Sequence, residues 1–439
     1  MLTRIEIDGF KTFSDFGVDF LPFTAIVGMN AAGKSNLFDV LQLLSRLARH
    51  GSIAEAFTGL RGKPHECFRK TGTGSALKRI DIAAEFLLDA SVQDPYGLKI
   101  DLGCTRIRYE VSIEQRKNDV GVERLQLVRE RVSPIPKAED RFWHRNGKDA
   151  SAFNNAYARH TKKRRPYLDT VESDGVPSFC IYPEGHGGQK RLIPGAGVES
   201  SVMASVANGQ DTPTLYALKE ELKSWRFVQL DPRDLRRSSG MMASDELEPS
   251  GANLPTVLAR LKAETRTESQ PEGALVDIAA DLVHVIGEVD GIRVREDKGN
   301  QENYVEIAMR DGTTFSSGVT SDGTLRVLAL LAILHDPRRI GLIAVEEPED
   351  GVHPGRLVEL IKTLRDLVTP LDDESCDPEL SLRQLVVSSH SPYMTELLRE
   401  EGEIVHLVTV TSIDPARHTS ERKTFAIDAA RTIAMRVVA

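Results

Sequence analysis

The spacing of apolar residues divides the chain into strand and helix segments. The first residues alternate between apolar and polar positions, and a buried strand, "PFTAIVG", then leads into a glycine-containing loop. From Ser35 the apolar positions change to a helical stripe that continues through Leu47. Alternation returns in "RIDIAAEFLL" and "RIRYEVSI", and weakly in "ERLQLVRE". These segments predict an antiparallel sheet beside the first strand–helix unit.

The second half of the chain repeats the strand–helix alternation after an irregular segment. Residues 132–212 have no clear period and are rich in Pro, Gly, Ser and Asn, after which three helical patterns follow, the last being "GALVDIAADLVHVIGEV". The remaining patterns predict strands and helices in the order "GIRVRED", "NYVEIAMRDG", "TSDGTLRVLALLAIL", "IGLIAV", "PGRLVELIKTLRDL" and "LRQLVVSS". We therefore expect an α/β domain with a parallel sheet that is split in sequence by an insertion.

Composition and charge are those of an ordinary globular protein. The 439 residues are 40% hydrophobic and 28% charged, and they are enough for two or three domains. The net charge of −9 argues against nucleic acid binding over the whole surface, although a basic run at Lys162–Arg165 permits a local patch. The histidines show no metal-ligand spacing, so no zinc site is expected.

The cysteines and the chain start indicate a reducing compartment. The four cysteines are far apart and form no CxxC pattern: Cys67, Cys104, Cys180 and Cys376. Charged residues among the first eight positions argue against a signal peptide, and the longest apolar run, Val327–Leu334, is too short to span a bilayer. These features favour a soluble cytoplasmic protein.

The segment "GMNAAGKS" fits the phosphate-loop pattern G-x-x-x-x-G-K-S between an apolar strand and an amphipathic helix. Gly28 and Gly33 allow the backbone to curve closely around phosphate groups, and Lys34 can reach the β- and γ-oxygens. The hydroxyl of Ser35 is placed to ligate Mg²⁺. The segment therefore predicts a site for ATP and Mg²⁺.

Two later strands end in residues suited to phosphate chemistry. "IGLIAVEEPED" places Glu346 and Glu347 at the carboxyl end of a buried strand, where open α/β sheets bind ligands. We expect Glu346 to hold Mg²⁺ and Glu347 to activate the attacking water, although a carboxylate pair alone could simply cap the next helix. "LVVSSHSP" ends a strand at His390, which could contact the γ-phosphate or that water. A lone histidine is more often structural, but its position after the carboxylate strand favours a functional role.

A second anion site is predicted where Ser321, Asp322, Gly323 and Thr324 open a very apolar helix, because unpaired N–H groups and the helix dipole meet there. With this feature the chain resembles the ABC-type ATPase heads of the SMC/RecF group. More narrowly, it resembles the AAA-21 or OLD-like ATPases of bacterial defence systems. The segments that carry the resemblance are "IDGFKTF", "GMNAAGKSN", "LDPRDLR", "PSGANLPTVL", "TSDGTLRVLALLAIL", "VEEPEDGVHP" and "SSHSP".

The resemblance implies an α/β fold of the ABC-type P-loop ATPase head, in which a mixed or parallel sheet is flanked by helices and joined by an antiparallel β subdomain. It divides the chain into three segments. Residues 1–131 form the first part of the head, residues 132–289 form an insertion that is loop-rich and then mainly helical, and residues 290–439 form the second part.

The resemblance also implies a head-to-head dimer with ATP trapped between the protomers, so the expected partner is a second copy of the chain in a homodimer or a higher homo-oligomer. Ser321 and Gly323 match the signature serine and glycine and would act on the partner's nucleotide, whereas Asp322 departs from the glycine of transporter-type signatures. Three more residues match nucleotide-binding positions in related heads: Lys11, Asn30 and Asn36. Asp350 and His353 would lie on the loop that crosses the dimer seam.

These inferences predict an ATP-driven switch, and three functions stay open. The first is the ATPase component of an anti-phage or abortive-infection system. It would act on a separate effector, a nuclease or toxin, because the segment after Pro392 is too short for the nuclease domain of OLD proteins.

The second is a RecF- or SMC-like DNA-repair ATPase. Lys162–Arg165, with Arg141 and Arg145 and the nearby Trp143 and Tyr167, could then contact nucleic acid, or could equally be a solvated loop. The third is a transport-type ATPase with a membrane subunit, which the "EEPE" and "GFKTF" segments disfavour.

Overall fold

A computed structural model describes most of the chain. The described residues are 1–71, 75–117, 121–145, 151–173, 176–184, 189–195, 197–207, 209–338, 341–371, 377, 380–398, 403–414 and 419–428. The strands are β1 Leu2–Asp8, β2 Phe16–Asp19, β3 Phe23–Val27, β4 Arg79–Leu87, β5 Ser91–Gln93, β6 Lys99–Asp101, β7 Arg106–Lys117, β8 Glu123–Pro134, β9 Leu168–Ser173, β10 Val176–Ile181, β11 Arg191–Pro194, β12 Arg226–Val228, β13 Ser239–Gly240, β14 Val289–Asp297, β15 Glu302–Met309, β16 Thr314–Ser316, β17 Gly341–Glu346, β18 Arg383–Ser389, β19 Ile404–Asp414 and β20 Thr419–Asp428. The helices are α1 Lys34–Arg49, α2 Ile53–Thr58, α3 Arg141–Arg145, α4 Ser151–Tyr157, α5 Pro213–Ser224, α6 Pro232–Leu235, α7 Leu254–Thr265, α8 Leu275–Val285, α9 Asp322–Leu334, α10 Leu357–Asp366 and α11 Pro392–Leu398.

A six-stranded sheet forms the centre of the fold. Its order is β12-β17-β18-β3-β19-β20, and every neighbouring pair is parallel except β19 and β20. Because parallel strands end at the same edge, the loops after β3, β17 and β18 meet there. The register is explicit: Ser389 pairs with Val27 on one side of β18, and Ser388 pairs with Glu346 on the other.

The central sheet separates two hydrophobic cores because alternate residues of its strands face opposite sides. On β3, Ile26 packs into the core shared with α1, α5 and the antiparallel sheet. Phe23, Ala25 and Val27 pack into the other core, with α7 to α10. Almost all of α9 is buried in this second core, as expected for a helix that is apolar on all sides.

An eight-stranded sheet, in the order β11-β10-β9-β8-β7-β4-β1-β2, forms the antiparallel lobe. One face packs on α1 and α2, and the other carries a cavity of about 510 Å³ lined by charged residues. Its charges pair with one another across the strands, for example Arg108 with Glu6 at 2.5 Å and Arg129 with Glu110 at 2.9 Å. The α/β fold with an antiparallel lobe that the sequence predicts is thus confirmed.

The region from 132 to 212 is more ordered than its sequence indicates. Strands β9 to β11 extend the antiparallel sheet at its far edge, and α3 and α4 pack in a small core with Met1, Leu87 and Leu382. The strands are short, β10 contains Pro177, and β9 pairs with β8 at a single position, so no two-residue period stands out. The helices expected after residue 212 occur as α5, α7 and α8. The division at residues 131 and 289 stays a prediction.

Two sequence expectations concern membranes and cysteines. Of the helices that the structure describes, none has both the length and the apolar character needed to cross a bilayer. Cys67, Cys104 and Cys180 are buried free thiols, and Cys376 lies outside the described residues.

Candidate functional site

The phosphate loop lies between β3 and α1, as its sequence predicts. Gly33 precedes the helix with φ 99°, a conformation that favours glycine. A Cβ atom on Gly33 would lie 2.8 Å from Thr424 Oγ1 in β20, so the close approach of the C-terminal hairpin also requires glycine there. Gly28 directly follows β3, and Asn30 is exposed at the tip of the loop. The loop therefore presents its backbone to solvent while β20 supports it from behind.

Lys34 is buried inside this loop. Its Nζ donates hydrogen bonds to the carbonyl oxygens of Gly28 at 2.6 Å and Met29 at 3.2 Å. Burial lowers the pKa of Lys34, and the carboxylates of Glu347, Glu349 and Glu346 oppose that shift. The ammonium group is thus held within the curve of the loop, where it would contact a bound phosphate.

A chain of hydroxyl groups lies beneath the loop, and no sequence motif predicted it. The side-chain amide of Asn36 donates to Thr12 Oγ1 at 3.1 Å, and this hydroxyl lies 2.7 Å from Thr424 Oγ1. Thr409 Oγ1 is 3.0 Å from the same atom of Thr424. Asn36 therefore contacts the support of the loop, whereas Ser35 is half-buried at the start of α1.

Lys11 belongs to a second cluster that reaches the carboxylate strand. Its Nζ lies 2.5 Å from Oδ2 of Asp39, a buried residue one helical turn after Ser35. Arg61 Nε contacts the other oxygen of Asp39 at 3.3 Å, and Arg61 Nη2 contacts Glu346 Oε1 at 2.6 Å. Asp39 and Arg61 were not identified from the sequence, because neither belongs to a motif and Arg61 lies in the loop after α2.

The predicted catalytic pair is brought together at the edge of the sheet. Glu346 ends β17, and the backbone N–H of Glu347 donates to the Ser388 carbonyl at 2.9 Å. Glu347 Oε1 lies 2.8 Å from His390 Nδ1, and the histidine side chain is 46% exposed. Both side chains are therefore open to solvent and to an incoming nucleotide.

Unusual backbone geometry concentrates at this site. Among the described residues, five that are not glycine have positive φ, and three of them are Lys11, Ala31 and Glu347, at 46°, 65° and 50°. Such conformations cost on the order of 1–3 kcal/mol each and persist where the surroundings hold them. Glu347 adopts this conformation directly after the end of β17, and its side chain contacts His390.

Glu349 is a further carboxylate that sequence reasoning passed over. The residue is buried, and Ser389 Oγ donates a hydrogen bond to its Oε1. Burial raises the pKa of Glu349, and the bond from Ser389 opposes that shift. The acidic "EEPED" run was the available signal, but its spacing does not show which carboxylate is buried.

The start of α9 has the geometry of an exposed helix N-terminus. Ser321 is the N-cap, and its Oγ accepts a hydrogen bond from the Thr324 N–H at 3.3 Å. The carboxylate of Asp322 pairs with Arg236 and is thereby held to one side. Within the described residues, no hydrogen bond or ion pair joins Ser321 to the phosphate loop of its own chain.

Gly323 connects α9 to the turn after the carboxylate strand. A Cβ atom on Gly323 would lie 2.0 Å from the carbonyl oxygen of Gly351, so the two backbones are in direct contact. In the same region Asp350 Oδ2 is 3.5 Å from Arg326, and His353 Nδ1 accepts a hydrogen bond from the Gly355 N–H at 3.1 Å. The predicted signature and seam-crossing residues thus lie side by side.

The basic run Lys162–Arg165 is solvent-accessible near the edge of the antiparallel sheet. The Arg165 guanidinium lies 4.1 Å from the ring centre of Tyr182, and Lys190 lies 5.7 Å from the same ring. Arg164 is 83% exposed, with a distant ion pair to Glu139 at 3.8 Å. A basic and aromatic surface therefore exists here.

The sequence matches two family models. The fold is more distantly similar to that of several solved structures. Residues 1–174 match the model described as "AAA ATPase domain", and residues 211–396 match the model described as "AAA domain, putative AbiEii toxin, Type IV TA system". No curated protein sequence matches the chain.

Three of the similar solved structures are SMC heads. An Smc head bound to the C-terminal winged-helix domain of ScpA is 13% identical with a TM-score of 0.47, covering 98% of this chain and 99% of the other. The SMC head domain from Thermotoga maritima is 10% identical with a TM-score of 0.40, covering 97% and 98%. An Smc head from Pyrococcus furiosus, with an extended coiled coil and a bound ScpA domain, is 11% identical with a TM-score of 0.44, covering 100% and 99%.

The two sequence matches together include the phosphate loop, the signature helix, the carboxylate strand and His390. AAA ATPase domains bind and hydrolyse ATP, and the folded chain brings Lys34, Glu347 and His390 to one edge of its central sheet. The chain is therefore an ATPase, and it is similar to AAA ATPase domains over residues 1–174 and to AbiEii-type AAA domains over residues 211–396.

Proposed function

We propose that the protein is a switch that closes as a head-to-head dimer around Mg-ATP and opens after hydrolysis. One observation carries this proposal: Lys34, Glu347 and His390 lie close together. They follow the ends of three adjacent parallel strands, β3, β17 and β18. In this reading Lys34 binds the β- and γ-phosphates. Glu347 orients the attacking water and takes up its proton, and His390 holds the Glu347 carboxylate at that position.

The proposed metal ligands are Ser35 and Glu346. A hydroxyl and a carboxylate are the hard oxygen donors that Mg²⁺ prefers, and it usually binds one or two protein groups together with phosphate oxygens. Arg61 now pairs with Glu346 and would have to release that carboxylate to the metal. When bound, Mg²⁺ neutralises charge on the β- and γ-phosphates.

The dimer explains why one chain has two anion sites. Ser321 is exposed at a helix N-terminus and has no bond to its own phosphate loop among the described residues. Exposed apolar side chains flank both motifs, with Met29 in the phosphate loop 83% exposed and Val319 before the signature 72% exposed. A second protomer would cover these side chains and place Ser321 against the γ-phosphate bound by its partner. The γ-phosphate then favours the closed state because it contacts both protomers.

Complementation between two inactive variants tests the shared site. We expect Lys34→Ala and Ser321→Ala to be inactive alone. A mixed dimer retains one complete site, built from the loop of the Ser321 variant and the signature of the Lys34 variant. An equimolar mixture should therefore recover about a quarter of the wild-type ATPase rate. A mixture that stays inactive, although both variants are folded and form mixed dimers in the presence of ATP, would contradict the shared site.

A second experiment tests the closing step. Glu347→Gln keeps the size of the side chain but removes its basicity, so this variant should bind ATP, hydrolyse it far more slowly and accumulate as a dimer. Light scattering after gel filtration, with and without ATP, measures that change in mass. Wild-type turnover by Glu347→Gln would show that another group activates the water.

For the biological role, we propose the ATPase component of an anti-phage or abortive-infection system that controls a separate nuclease or toxin. The "putative AbiEii toxin, Type IV TA system" description of the model matching residues 211–396 supports this choice. The experiment is phage challenge of cells carrying the gene with its neighbours. We expect protection that Lys34→Ala abolishes. Equal plaque counts for wild type, variant and empty vector would contradict a defence role.

The second candidate is a DNA-repair or DNA-end-binding ATPase, and the basic surface around Tyr182 favours it. Phosphate contacts by exposed arginine and lysine side chains, with an aromatic ring between them, are typical of nucleic acid binding. The ATPase rate with and without linear double-stranded DNA, at near-physiological salt, separates the two candidates. Strong stimulation that is lost in Arg164→Ala/Arg165→Ala would favour DNA, whereas an indifferent rate would favour a protein trigger.

A further inference from the structure

The carboxyl group of Glu349 lies between the two loops that carry the proposed catalytic pair. Its residue is only 8% exposed, although it belongs to the turn between β17 and α10. It is close enough to Lys34 to oppose the lowering of that residue's pKa. A buried acidic residue is costly unless it is paired or used, so its position needs a reason.

Ser389 provides the link from Glu349 to His390. Ser389 is the last residue of β18 and is fully buried, and its hydroxyl donates to Glu349 Oε1. The same hydroxyl accepts a hydrogen bond from the N–H of Ser391 at 3.0 Å, so it contacts the chain on the far side of His390 as well. The backbone on both sides of His390 is thereby fixed to the turn that contains Glu347.

The other oxygen of the carboxyl group is unusual. Among the residues that the structure describes, none forms a hydrogen bond with the buried Oε2 of Glu349. Leaving a buried polar atom unpaired costs on the order of 1–3 kcal/mol. Such atoms are rare, and each calls for a specific explanation. The contact that the buried carboxyl group does make, with the Ser389 hydroxyl, offsets this cost.

We propose that Glu349 is a positioning residue of the ATPase site: through Ser389 its carboxyl group fixes the loop that carries His390 and holds that side chain against Glu347. The 2.8 Å contact between His390 Nδ1 and Glu347 Oε1 is the geometry that this anchor maintains. The inference rests on the proposed roles of Glu347 and His390. It adds a residue outside the groups that contact nucleotide.

The test compares turnover with ATP binding in three variants. Glu349→Leu keeps the volume but removes the acceptor, and Ser389→Ala removes the donor. Each should lower kcat about 10- to 100-fold, because misplacing a catalytic group by about 1 Å has effects of that size. The Kd for ATP should change less than about threefold, because Lys34 and its loop are intact. Glu349→Gln keeps an oxygen acceptor for Ser389 and should retain kcat within about threefold of wild type.

The double variant Glu349→Leu/Ser389→Ala measures the coupling directly. If the two side chains act only through their shared bond, the double variant should be no slower than the slower single variant. If kcat in the double variant falls by the product of the two single-variant losses, the side chains act independently and the proposal is overturned. A wild-type kcat in Ser389→Ala would also overturn it. A Glu349→Gln variant as slow as Glu349→Leu would also overturn it, because the ionisable group itself would then be required.

Two controls separate this inference from structural damage and from the proposed function. Glu130 is another buried carboxylate, bonded to Tyr109 and Ser201 in the antiparallel lobe, and Glu130→Gln should leave kcat unchanged per folded protein. Glu347→Gln is measured in parallel. If it keeps full turnover, the proposed catalytic pair is wrong; if it is inactive while the Glu349 and Ser389 variants are not, only the positioning role is wrong.

Discussion

Gly323→Ala tests the contact between α9, which contains Gly323, and the turn that follows β17. Replacing glycine by alanine in a helix normally stabilises it by about 1 kcal/mol. Here the added Cβ would lie 2.0 Å from the Gly351 carbonyl oxygen and 2.6 Å from its carbon atom. The neighbouring atoms belong to the backbone and cannot rotate away, so the helix and the turn must separate by about 1 Å. Gly351 itself has φ 80°, which restricts how the turn can adapt.

The change in the free energy of unfolding is the difference between two effects: the gain in helix propensity and the cost of the overlap between the new Cβ atom and Gly351. Overpacking of a fixed core costs about 1–3 kcal/mol, and occasionally more. We therefore expect Gly323→Ala to lower the free energy of unfolding by about 1–3 kcal/mol, with the opposite sign to an ordinary helical substitution. Because the displaced turn begins at Glu347, kcat should also fall by about 100-fold.

The assay combines urea unfolding with ATP turnover at saturating ATP. Gly51→Ala is the matched control, because no atom lies within 4 Å of a Cβ placed there and the residue is exposed. This control should match wild type in both measurements. A Gly323→Ala protein that is as stable and as active as Gly51→Ala would refute the close contact between α9 and the turn.

Three further predictions use other parts of the site and core. Lys34→Ala should abolish ATP binding in a filter or fluorescence assay while the protein stays folded; full-strength binding would contradict the phosphate-loop assignment. Asp39→Asn leaves Lys11 and Arg61 without their shared carboxylate and should cost about 3 kcal/mol in urea unfolding; an unchanged midpoint would show that the cluster is not coupled. Burial raises the pKa of Glu130, so the native state binds that proton more tightly than the unfolded state. Its stabilising contribution is present below the ordinary carboxyl pKa and lost as pH rises through the raised value. Wild type should therefore lose stability relative to Glu130→Gln as pH rises, and parallel stability curves would contradict this.

The sequence by itself determined the parts of the site that depend on local order along the chain. A phosphate loop needs only a strand, a glycine turn and a helix in succession, so Gly28, Gly33, Lys34 and Ser35 could be predicted from one short segment. The strand ends at Glu346 and His390 were predictable for the same reason, because buried strands show as apolar runs. Their meeting followed from the rule that parallel strands end at one edge of a sheet.

Only the tertiary structure decided the contacts between segments that are distant in sequence. Thr424 supports the phosphate loop from β20, and Arg61 reaches Glu346 from the loop after α2. Burial also distinguished Glu349 from the other acidic residues of its turn, because desolvation depends on every element packed around a group. Strands β9 to β11 were missed for a related reason. They form because they pair with one another at the edge of the sheet, more than because their apolar and polar residues alternate. Local periodicity thus specifies elements and motifs, whereas long-range packing specifies which side chains support them.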